Sequence, residues 1–306
     1  MRKTISWAVV ALCATAASAV TATPSNAATM CAPVRVTPVT APSTPAVDWS
    51  ENLGYDADGR LWVSRIAKSV VQQLDSRGRV VKSVAVPFPG AVRSGPGDQM
   101  YVTSFTRELT TLTGSGAVYR FDPRAPKPTA RPFARALGLP NGLAFDAAGA
   151  GHVGDTWRGV VRLRRNGTVD AGWSARAPHN LSPTLTVNGT SINGVAVVGR
   201  SLYVTMTTSL TGRVLRVPLD APSRTTPAAD LTAPLPGLLD DLTPLGTDRL
   251  AVTSTTGTLY FVDIRTGAAC AAPVGQPVTS VAADPRDRHS VVVGTETGYV
   301  LRVRRG

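Results

Sequence analysis

Four oxygen-bearing side chains occupy one repeating frame of this 306-residue chain. Glu51 precedes Leu61, Asn141 precedes Gly151 and Asp240 precedes Leu250 by ten positions, and Asn193 precedes Leu202 by nine. Each is followed by one residue and then an apolar one, as in Glu51-Asn52-Leu53, Asn141-Gly142-Leu143, Asn193-Gly194-Val195 and Asp240-Asp241-Leu242. Gly90 and Thr279 hold the equivalent places in two further copies and offer weaker or no ligands. Carboxylate and amide oxygens are hard donors, suited to calcium or another hard divalent cation, and two carboxylates neutralise one such ion. No thiol or imidazole belongs to the set, which argues against zinc or copper. With 3 His in the chain, a transition-metal site built from several histidines is almost excluded by inventory. A lone Asn-Gly pair reads as a turn; four positions in register read as a shared site.

The frame itself is set by β-rich segments starting at Leu61, Met100, Gly151, Leu202, Leu250 and Val291. Each is followed by a segment of apolar–polar alternation, starting at Val71, Val118, Val160, Val214, Leu259 and Val300. Turn signals such as Asp58-Gly59, Gly97-Asp98, Ala148-Gly149 and Gly199-Arg200 precede the first set. A period of roughly 40–50 residues is that of four-stranded propeller blades. Six copies predict an all-β, six-bladed β-propeller in which the first residues of the innermost strands converge on a central channel. A two-sheet sandwich would not produce six aligned copies. The sixth copy is one strand short before Gly306, and Val34-Arg35-Val36-Thr37-Pro38-Val39 alternates. That N-terminal segment is expected to supply the missing outer strand and close the ring.

Composition agrees. The chain is 43% hydrophobic and 17% charged, enough for a large core and unlike a disordered chain. Its 28 Gly and 24 Pro disfavour long helices. Residues 1–27 read as a signal peptide: Met1-Arg2-Lys3 is basic, residues 7–20 are apolar and Ala-rich, and Ser25-Asn26-Ala27 suits cleavage after Ala27. Residues 28–306 are then a single propeller domain, secreted and extracellular. No segment offers the ~18 uninterrupted apolar residues of a membrane span. Cleavage would remove Cys13 and leave Cys31 and Cys270, which an oxidising compartment is expected to bridge. Cys270 falls in the expected outer strand of the fifth blade, so the bridge would pin the closure.

These repeats resemble the senescence marker protein, gluconolactonase and luciferin-regenerating enzyme family. Leu139-Pro140-Asn141-Gly142-Leu143-Ala144-Phe145-Asp146 is similar to that family's Pro-Asn-Gly-apolar-Ala stretch, and Ile192-Asn193-Gly194-Val195-Ala196-Val197 looks like its counterpart in the next blade. The resemblance covers roughly residues 49–303. It implies a channel calcium held by Glu51, Asn141, Asn193 and Asp240, and it favours Asp240 as the catalytic carboxylate, either as base toward water or as nucleophile. Asn52 and Asp241 stand where relatives often have Gly, which leaves the register of Asp240 against Asp241 open.

Other signals are weaker. Gly149-Ala150-Gly151-His152-Val153-Gly154 matches a dinucleotide pattern by letters but reads as a hairpin with no helix after it. Asp56-Ala57-Asp58-Gly59 opens like a calcium loop but lacks the later ligands and reads as a turn. There is no nucleophile-elbow serine. His152 and His179 read as buried or loop histidines, and His289 as part of a surface turn. The net charge of +12, with Arg164-Arg165 and Arg302, Arg304 and Arg305 contributing, lacks the interleaved aromatics of a nucleic-acid surface. It leaves weak adsorption to anionic envelope polymers open. Two functions are therefore expected in order: a secreted, calcium-dependent lactonase- or esterase-type hydrolase of a small molecule, and a non-catalytic, calcium-stabilised propeller that binds a protein or glycan. A monomer is expected. The substrate pocket should be made by loops such as residues 105–114 and 177–190.

Overall fold

The computed structural model describes residues 27–105, 115–179, 184–232 and 235–306. All but the last residue of the expected leader lies outside them, as do parts of the two loops assigned to the pocket.

Six sheets stand around one axis. Blade one comprises Ser50–Tyr55, Leu61–Arg65, Val70–Leu74 and Val80–Ala85, and its strands pair antiparallel in chain order. The innermost strands of the other blades are Pro89–Gly95, Pro140–Phe145, Ile192–Val198, Leu239–Pro244 and Val278–Ala283, and each packs on the next to close a ring. The six-bladed propeller expected from the repeats is the fold, and its second strands begin within one residue of the expected starts.

Strand character follows from β-branched and aromatic residues on both faces of each sheet. Both faces are buried because neighbouring blades cover them: apolar clusters fill each interface between blades. Leu53, Val63 and Val292 lie between blades six and one, and Trp62, Val71 and Val102 between one and two. Full burial of one such Val or Leu contributes roughly 1.5–3 kcal/mol.

Closure occurs as expected. Val34–Thr40 pairs antiparallel with Val300–Arg305, setting Val36 opposite Val303. Thr29–Met30 adds a short parallel strand outside Ala269–Pro273 of blade five. Cys31 and Cys270 are disulfide-bonded, with Cα atoms 4.8 Å apart. One departure concerns blade three, where a helix, Ala171–Ser174, stands in place of a fourth strand. Asp170 caps it, and buried Trp173 fills the space against blade four, with its indole N–H donating to Leu219 O at 2.7 Å. Among the described residues no helix is long and apolar enough to cross a membrane.

Candidate metal centre at the channel mouth

Glu51, Asn141, Asn193 and Asp240 are each the second residue of an innermost strand. Gly90 and Thr279 hold that place in blades two and six. All six of these strands begin with a register shift against their neighbour, for example between Pro140 and Gly142 and between Ser50 and Asn52. A bulge leaves its extra residue out of the ladder and re-aims the side chain. The bulges therefore turn the four polar residues toward the axis. Asn-Gly here is not a turn. A Cβ at Gly142 would meet Asn193 O at 2.3 Å, and one at Gly194 would meet Asp240 O at 2.7 Å. The glycines are required because adjacent innermost strands approach this closely.

Threonines fix the backbone of the strand starts from the blade before. Thr103 Oγ1 donates to Asn141 O at 2.7 Å, Thr205 Oγ1 to Asp240 O, and Thr279 Oγ1 to Ser50 O. Glu51, Asn193 and Asp240 are buried. Burial pushes the Glu51 carboxyl up to about 7; a hydrogen bond from Asn141 opposes this, and the charges of Glu296 and Asp241 add to it. The Asp240 carboxyl is pushed up by burial and then by the charges of Glu51, Asp241 and Glu296, against a hydrogen bond from Asn193. The four residues are thus brought together, as the spacing implied.

Asp240 and Asp241 differ in their side-chain partners. Asp240 faces Glu51, whereas Asp241 lies across the channel with Arg93, whose Nη2 donates to Asp241 Oδ1 and Oδ2 at 2.8 and 2.7 Å. Asn52 Nδ2 and the Val281 amide complete the shell of Asp241, each donating at 3.2 Å. So Asn52 and Asp241, standing where a glycine would fit, form a polar plug with Arg93.

Two participants were not identified from the sequence. Arg93 lies inside the innermost strand of blade two and carried no motif. Glu296 follows the second strand of blade six at the same offset as Thr156, Thr207 and Thr255 in other blades. That second ring of positions was a usable signal, since Thr207 Oγ1 accepts from Asn193 Nδ2 at 3.0 Å.

The other readings resolve locally. His152 is fully buried, with Nε2 3.0 Å from Asp146 Oδ2 and its ring against Trp173. The glycine-rich stretch around it is a hairpin. His179 and His289 are exposed. Asp56 closes a turn by accepting from the amides of Asp58 and Arg60 at 3.0 and 2.9 Å.

The donor set fits a hard cation. Two buried carboxylates repel one another, and Arg93, which reaches into the channel, is occupied by Asp241. The amides of Asn141 and Asn193 offer neutral oxygens beside them. Among the described residues no group of three or more His, Cys, Asp or Glu converges as metal ligands. The candidate set, taken from the second residues of the innermost strands, holds two carboxylates and two amides.

No family model and no curated protein matches the chain. Solved structures do. A gluconolactonase from Xanthomonas campestris superposes with a TM-score of 0.65 at 16% identity, covering 92% of this chain and 99% of that one. Regucalcin from Agrobacterium tumefaciens, described as a calcium-binding protein, gives 0.62 at 16%, covering 91% and 95%. Virginiamycin B lyase from Staphylococcus aureus gives 0.62 at 9%, covering 89% and 100%. At such identities the likeness establishes the fold: the chain's structural neighbours include six-bladed propellers of the gluconolactonase and regucalcin type. The lyase shows that the architecture also carries other chemistry.

Proposed function

We propose that the chain is a secreted, calcium-dependent hydrolase of the lactonase or esterase type acting on a small molecule. The observation that carries this reading is that Glu51, Asn141, Asn193 and Asp240, from four bulged strand starts, interact with one another at one place in the channel, where three of them are buried. These four would hold the cation. When bound, calcium would supply Lewis-acid stabilisation of negative charge on a carbonyl oxygen.

The chain's own residues supply the rest. Hydrolysis needs a proton acceptor or a nucleophile, and of the four converging residues only Glu51 and Asp240 can serve. Asp240 is assigned that role, as base toward water or as direct nucleophile. Asn141 and Asn193 cannot accept a proton at neutral pH and orient metal and substrate. Thr207 holds Asn193 in place. Exposed Leu210, Leu235 and Leu238 belong to loops on the same face of blades four and five. Substrates with an apolar portion therefore belong in any trial set alongside hydroxylated lactones. Secretion is supported by the leader-like N-terminus and by the disulfide.

Turnover of a panel of hydroxylated and alkyl-substituted lactones and esters, with calcium and after chelation, tests the reading. Calcium-dependent hydrolysis of at least one member is expected. Calcium binding with no turnover across the panel would favour the non-catalytic propeller instead.

A further inference from the structure

A cleft of about 600 Å³ lies between blades five and six, within the range of small-molecule sites, roughly 300–1,000 Å³. Arg249 opens the second strand of blade five and Arg305 ends the third strand of blade six. In blade five that strand end pairs with Pro244, whereas Asp240 lies at the opposite end of the innermost strand. The cleft is thus on the face remote from the candidate metal centre.

Phe261 and the Cys31–Cys270 disulfide form apolar walls, and Arg249, Arg305 and His289 stand around them. The Arg305 guanidinium lies over the Phe261 ring, 4.9 Å from its centroid. Neighbouring arginines are neutralised: Arg302 pairs with Asp284 at 3.0 Å and Arg304 with Asp287 at 3.5 Å. Asp263 also lines the cleft and stands in register with Arg249, but its Oδ1 accepts from the amides of Arg265 and Thr266 at 2.9 and 3.0 Å. Among the described residues no carboxylate forms an ion pair with Arg249 or Arg305. Burial, and then the charge of Arg249, lower the pKa of Arg305. Two like charges beside an aromatic wall leave an unmet demand for an anion with an apolar body.

We propose that this cleft is a second ligand site, taking a small organic carboxylate whose charged group lies between Arg249 and Arg305 and whose apolar body covers Phe261 and the disulfide. The proposal is independent of the hydrolase reading, since neither arginine belongs to the channel.

Calorimetry on the full chain with 2-naphthoate is the test. The comparison ligands are 2-naphthylmethanol, which has the body without the charge, and inorganic phosphate, which has charge without the body. Naphthoate should bind at least about tenfold more tightly than either, and should lose at least about tenfold in Arg249→Gln and in Arg305→Gln. Arg265→Gln removes a charge from the adjacent turn, outside the cleft, and should leave affinity unchanged. Arg249 is exposed, so its variant alone decides should the Arg305 variant fail to fold. Three outcomes would overturn the proposal: naphthoate no tighter than the comparison ligands, naphthoate equally tight in Arg249→Gln, or an equal loss in Arg265→Gln, which would reduce the effect to net charge.

Discussion

Asp241 and Arg93 are joined by two hydrogen bonds of 2.7 and 2.8 Å across the channel, although Asp241 adjoins a candidate metal ligand in sequence. Asp241 is almost wholly buried and Arg93 largely so. Removing one member of such a pair leaves a buried charge unpaired, at a cost of roughly 3–5 kcal/mol. Arg93→Met should therefore lower the unfolding free energy read from urea titration by that scale, and Asp241→Asn added to it should recover part of the loss. Equal stability of wild type and Arg93→Met would show that the pair does not matter to the fold.

Glu51→Gln keeps an oxygen but removes one of two charges facing the proposed cation. Calcium affinity measured by calorimetry after chelation should fall by roughly tenfold or more, because affinity follows ligand charge. The rise in melting temperature that calcium confers should shrink in parallel. Unchanged affinity would remove Glu51 from the site.

Asp240→Asn separates ligation from basicity. Calcium should still bind, more weakly, while turnover of any substrate found should drop by roughly 10²-fold or more, the scale of lost general-base catalysis. Full turnover in this variant would displace the catalytic assignment and leave the metal site standing.

Asp48 supplies a pH dependence. Burial alone would raise its carboxyl, but the Lys68 ammonium, the amides of Thr44 and Ser43 at 2.8 and 2.7 Å, and the Ser43 hydroxyl at 2.8 Å hold it well below the usual carboxylate range. A depressed folded-state pKa means stability present above the unfolded value, about 4, and lost as pH falls below it. The melting-temperature gap between wild type and Asp48→Asn should be wide at pH 6 and begin to shrink only below about pH 4, closing further as pH falls toward the depressed folded-state value. A gap independent of pH would mean the carboxylate charge is not what stabilises.

The Cys31–Cys270 bridge spans 239 residues of sequence. Its removal in a double Cys→Ser variant should cost roughly 2–4 kcal/mol, read as a lower denaturation midpoint under non-reducing conditions. Two free thiols in exported wild-type material, found by mass spectrometry, would contradict the bridge.

Much of this was legible along the chain because a propeller repeats. Period and alternation set the blade count. The same spacing that set Glu51 ten residues ahead of Leu61 brought Asn141, Asn193 and Asp240 to equivalent places, since identical bulged strand starts around an axis must converge. Closure was legible from an unpaired alternating segment and a strand-short last copy. Tertiary structure alone decided what depends on direction across the ring. Asp240 and Asp241 are equivalent by type, and only the bulge and the position of Arg93, 148 residues away, leave one beside Glu51 in the candidate metal centre and send the other into an ion pair. Glu296 gains its influence from a turn that brings its charge near Glu51 and Asp240, not from any motif. Trp173 shows the limit from the other side: the repeat period asks for a fourth strand in blade three, but a capped helical turn takes its place, with a buried indole that donates to Leu219 O. Strand spacing is a one-dimensional property; the pairing of buried charges and the filling of a blade interface are settled only by which side chains meet in space.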